Sequence, residues 1–88
     1  MLGYVENRPK SFSRLEQYAA RIGAPVKLES TEQGYRLLVD ATADLALDEK
    51  LVDYMGAELA LVLEEDPRDA PHGWRSLGII VGYHEVED

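Results

Sequence analysis

The chain has 88 residues, 17 acidic against 9 basic side chains, a net charge of −8 and no cysteine. That length makes one domain, residues 1–88, near the lower limit for an independent core. The lack of cysteine excludes disulfides, thiolate zinc sites and thiol chemistry, and no apolar run approaches the roughly 20 residues of a membrane helix.

Residues 2–7, LGYVEN, alternate as a short strand that Pro9 stops. The next element is a helix over 12–23. Ser13 and Glu16 fit a capping box, with Ser11 as the alternative cap. Phe12, Leu15, Tyr18, Ala19 and Ile22 recur three or four apart and share one face. Gly23 suits the left-handed closing position, and Pro25 forbids continuation.

Residues 26–30, VKLES, and 35–41, YRLLVDA, alternate cleanly about the polar turn Thr31-Glu32-Gln33-Gly34. Two such runs joined by a short glycine-containing turn read as an antiparallel hairpin.

Residues 42–65 admit two readings, of which the first is the simpler and is preferred. In the first, Asp48 caps one helix from 48 to about 64, with Leu47 stapled to Val52. Leu51, Val52, Met55, Leu59, Val62 and Leu63 keep helical spacing. In the second, Gly56 ends a shorter helix and 58–64 becomes a buried strand paired with the last one. Glu64-Glu65-Asp66 at a helix C-terminus would oppose its dipole, which favours the strand.

Residues 66–74, DPRDAPHGW, form a loop. The chain closes on a strand centred on LGIIVG, apolar on both faces and therefore central in its sheet. Gly78 and Gly82 flank Ile80 on one face, where something can approach the backbone closely. A packed helix or aromatic ring satisfies that pattern, and so does a bound ligand or partner.

The first reading gives the order β-α-β-β-α-β, an α+β fold with a mostly antiparallel four-stranded sheet and two helices. That is the element order of a ferredoxin-like split βαβ unit. The second shortens the second helix and adds a fifth strand. A sheet covered on one side would offer its other face, with Tyr4, Tyr35 and Tyr83 as natural occupants of an exposed face or interface.

No catalytic constellation emerges, so the chain reads as a non-enzyme with no cofactor and no metal. His72 and His84 are the only histidines and stand in no ligand spacing. The serines lack a nucleophile-elbow context, and the seven glycines form no phosphate loop. Arg8, Lys10, Arg14 and Arg21 could meet phosphates, but a sequence pI of 4.6 opposes polyanion binding.

The charge is unevenly placed. Residues 1–39 carry six basic and four acidic side chains, net +2; residues 40–88 carry three basic and thirteen acidic, net −10. Such polarity steers a partner of opposite sign. The leading expectation is therefore a small acidic protein-binding module, inhibitor, immunity or antitoxin-like in character, offering carboxylates as phosphate mimics to a basic surface.

Its contact residues would be Asp44, Asp48, Glu49 and Asp53, then Glu64, Glu65, Asp66 and Asp69. Two alternatives stand beside it: a homodimeric accessory subunit of an enzyme complex, and a small-molecule-binding regulatory domain. Both draw on a ligand or dimer face of Trp74, Gly78, Gly82 and His84. The N-terminus, MLGYVENRPK, lacks the apolar stretch of a secretion signal, so a cytoplasmic location is expected.

Overall fold

The computed structural model describes residues 10–82. Their order is α1 (Lys10–Ile22), β1 (Val26–Ser30), β2 (Tyr35–Asp40), α2 (Ala46–Glu58), β3 (Val62–Glu64) and β4 (Trp74–Gly82). The four strands form one open antiparallel sheet in the order β1-β2-β4-β3. The expected α+β class, with two helices and a four-stranded antiparallel sheet, is thus present. The strand expected over 2–7 lies outside the described residues.

The preferred single helix from 48 to about 64 does not form: α2 ends at Glu58 and a strand follows, as in the alternative, but it spans only Val62–Glu64 and is largely exposed rather than a buried strand over 58–64. The helix nevertheless runs through Gly56 and stops at Glu58, beyond which Ala60 takes a left-handed φ of 54°. The chain then turns extended because Leu61 and Leu63 reach the core two residues apart, while Val62 and Glu64 face out. Since β2 and β3 are each antiparallel to β4, they run parallel with β4 between them. The split βαβ arrangement is therefore built from β2, α2 and β3, with β4 in its slot.

α1 buries Phe12, Leu15 and Ala19, the face that its spacing predicts. It closes as expected: Gly23 has φ 88°, its N–H donates to the Ala20 carbonyl, and the Ala24 N–H donates to the Ala19 carbonyl at 2.8 Å. The caps differ from expectation. α1 already includes Ser11 and Ser13, so neither stands at its boundary. α2 begins two residues before Asp48, and the Asp44 carboxylate accepts the Ala46 N–H instead. Val52 is exposed, whereas Leu47 packs against the core.

Both helices cover one face of the sheet, where Phe12, Leu15, Leu37, Val39, Leu51, Met55 and Ile80 form one core. Tyr35 belongs to this covered face: its ring meets Phe12 edge-on at 4.7 Å. It does not occupy an exposed sheet face, and Tyr4 and Tyr83 lie outside the described residues.

The other sheet face is not free either. Arg36 and Ser76 point to it and hold the 65–73 loop across it, and Leu38 and Ile79 on the same face are buried. No described helix is long and apolar enough to cross a membrane.

Candidate functional site: the outward face of α2

Arg75 of β4 fastens the start of α2. Its Nη2 donates to Asp48 Oδ1 at 2.8 Å and its Nε to Asp48 Oδ2 at 3.0 Å. The same guanidinium donates to the carbonyls of Ala41 and Asp44, each at 3.2 Å. The Asp48 carboxylate, first among its neighbours, holds the Arg75 pKa above the ordinary guanidinium value. Asp40 is held below the ordinary carboxylate value, chiefly by the Thr42 N–H and also by the Thr42 hydroxyl and the Arg75 charge. One arginine thus orders the whole turn from Asp40 to Asp48.

This anchorage fixes what projects outward. Leu45 and Asp53 each stand four residues from Glu49 and Val52 stands three from it, so the four share one side of the helix surface. Leu45 is 70% exposed and Val52 41% exposed, large apolar side chains set among the exposed carboxylates of Asp44, Glu49 and Asp53. Among the described residues Glu49 and Asp53 join no ion pair. Asp48 is the exception in the expected cluster: its carboxylate is committed to Arg75.

On its other flank α2 meets α1 in a shallow groove of about 420 Å³, lined by Tyr18, Lys50, Asp53, Tyr54, Ala57 and Glu58. The rings of Tyr18 and Tyr54 stack with centroids 4.0 Å apart and planes 4° from parallel. The Arg21 guanidinium lies 5.7 Å from the Tyr18 centroid, an arrangement in which the ring quadrupole attracts the cation.

The second expected acidic cluster lies elsewhere and is divided. Asp66 is not part of an exposed acidic surface, because its side chain is only 2% exposed. It accepts from Ser76 Oγ at 2.7 Å and from Arg36 Nε, while Arg36 Nη2 also donates to the carbonyls of Arg68 and Asp69. The Ser76 hydroxyl is the largest cause that lowers the Asp66 pKa to about 2, with the Arg68 N–H and the Arg36 guanidinium adding to it against burial. Asp66 in turn raises the Arg36 pKa. Glu64, Glu65 and Asp69 are exposed around this anchor. They belong to β3 and the loop on the outer sheet face, so the two acidic clusters do not merge.

Of the expected ligand or dimer face, the described residues Trp74, Gly78 and Gly82 are not brought together around a common opening. Gly78 has φ 139°, and a Cβ there would lie 2.5 Å from the Glu64 carbonyl oxygen and 2.9 Å from Leu63 Cγ. At Gly82 a Cβ would meet Val62 at 3.1 Å. Strand β3 is therefore what approaches these glycines. Trp74 sits at the far end of β4, where Lys27 Nζ lies 5.8 Å from its ring centroid. His84 lies outside the described residues.

Sequence reasoning missed Leu45, Tyr18 and Tyr54 as surface-forming residues and placed Val52 on the buried face. For Leu45, Val52 and Tyr54 the available signal was their offset from the Leu51–Met55 strip that faces the core; nothing local marked Tyr18, which shares the apolar face of α1. No protein-family model, no curated protein and no solved structure matches this chain.

Proposed function

We propose that the chain is a non-enzymatic protein-binding module acting by stoichiometric contact, inhibitor, immunity or antitoxin-like in character. The contact surface is the outward face of α2, and the partner presents a basic rim around an apolar centre. The observation that carries this reading is the exposure of Leu45 and Val52 amid Asp44, Glu49 and Asp53 on a helix start that Arg75 holds rigid. An apolar centre with a charged rim is how specific interfaces are composed, and the carboxylates supply steering toward a basic surface. Glu64, Glu65 and Asp69 form a separate acidic region and are not needed for this contact.

The test is a double reversal, Glu49→Lys with Asp53→Lys, two exposed positions outside the Arg75 clamp. The association rate with a captured partner should fall about tenfold at low salt, with a flatter salt dependence, and Tm should hold. An unchanged rate would remove α2 from the interface.

A second reading rests on the groove between the helices. Its stacked tyrosine wall and its mixed charges, Lys50 against Asp53 and Glu58, suit a small zwitterionic ligand. Thermal-shift screening with amino acids and other zwitterions addresses it; a flat Tm across the set would dismiss it.

A further inference from the structure

The two edges of the sheet are built differently. β3 is three residues long, and its register with β4 shifts between Val62 and Leu63. Short, irregular edges of this kind resist further pairing. β1 is five residues long, and its register with β2 is unbroken from Val26 to Ser30. Among the described residues no strand pairs with its outer side.

The phase of the hairpin shows which groups that edge presents. The Thr31 N–H donates to the Gly34 carbonyl at 2.7 Å, and the Asp40 N–H donates to the Pro25 carbonyl at 3.0 Å. In an antiparallel pair, hydrogen-bonded positions alternate. Residues 25, 27, 29 and 31 therefore bond to β2, and Val26, Leu28 and Ser30 direct their N–H and C=O groups outward.

We propose that β1 is a self-pairing edge whose occupant is a second copy of this chain, joined antiparallel about Leu28 into one continuous sheet. The outward phase allows two-fold pairings centred on residues 27, 28 or 29 only, because facing residues must share the same hydrogen-bonding side. Charge chooses among them. A centre at 27 sets Lys27 opposite Lys27, and a centre at 29 sets Glu29 opposite Glu29; like charges directly opposite are destabilising.

A centre at Leu28 sets Lys27 of each copy opposite Glu29 of the other, in the closer, non-hydrogen-bonded pairing. Leu28 then bonds Leu28 of the second copy in both directions, and Val26 bonds Ser30. Val26 and Leu28 lie on the helix-covered face and are only partly buried within one chain, so pairing completes their burial. This surface shares no residue with the outward face of α2.

Sedimentation equilibrium up to about 1 mM at low ionic strength tests the proposal. The natural chain should form a dimer. Lys27→Glu and Glu29→Lys alone should each weaken it about tenfold, since both cross-strand pairs become repulsive; Glu29→Lys also gives up the 3.5 Å pair with Arg36 of its own chain, so the Tm of each variant is read beside its dimer constant. An equimolar mixture of the two variants should form a heterodimer tighter than either homodimer, because every Glu then faces a Lys.

A monomer throughout, or a dimer indifferent to both reversals, overturns it. Amide exchange on the natural chain gives a readout that needs no variant: protection of Leu28 should rise with concentration while Lys27 and Glu29 stay protected at all concentrations. Concentration-independent exchange at Leu28, with the first residues or any other segment already covering the edge, would also overturn it.

Discussion

At the scale of single residues, the network of Arg36, Asp66 and Ser76 makes the most definite demands. Asp66 has a folded-state pKa of about 2 against an ordinary value of 3.8. It therefore stabilises the fold above pH 3.8, and that contribution fades as pH falls toward 2. Ser76→Ala removes the largest cause of the depression and raises the folded-state value, so the variant should lose stability at a higher pH than the natural chain. Urea unfolding between pH 2 and 5 reads this shift directly. Asp66→Ala leaves the buried Arg36 guanidinium with only the more exposed Glu29 carboxylate, at 3.5 Å, which costs about 3 kcal/mol; for a chain of this size Tm should fall by more than 10 °C. The sequence could not indicate this network. Arg36, Asp66 and Ser76 come together only when β2 pairs with β4 across some forty positions, and nothing local distinguishes Asp66 from the exposed Glu64 and Glu65.

At the scale of elements, local chemistry carried the reading where it was unambiguous. The apolar spacing of α1, its closure at Gly23 and the β1–β2 hairpin were legible because one periodicity and one turn signal agreed. The helix caps were not, since Ser13 and Asp48 have good capping chemistry but stand inside their helices. The end of α2 shows a mismatch that substitutions can expose. Gly56 occupies a helical interior with open space around a Cβ, whereas Ala60 holds a left-handed φ of 54°. Gly56→Ala should stabilise by about 1 kcal/mol, and Ala60→Gly should stabilise by about 0.5 kcal/mol by relieving the left-handed strain. Gly78→Ala should do the reverse, costing about 3 kcal/mol, because its Cβ meets the Glu64 backbone and its φ is one that L residues avoid. Thermal unfolding of the three variants separates the cases by sign.

At the scale of the whole molecule, the fold partly neutralises the polarity of the sequence. Arg36 from the basic part meets Asp66 from the acidic part, while Arg75 takes Asp48 within the acidic part itself. Opposite the core-facing side of α2, Glu49 and Asp53 stay exposed, with Asp44 at the turn and Leu45 and Val52 beside them. The acidic residues were visible in composition; which of them stay exposed was decided by long-range strand pairing. The central proposal is that this strip is the functional surface. The most direct measurement is capture from the native cell extract at low salt, with the natural chain and the Glu49→Lys, Asp53→Lys variant as matched baits. The proposal predicts a stoichiometric basic protein on the natural chain that is missing from the variant, while both baits share the same Tm. The same protein retained in equal amount by both baits would contradict it.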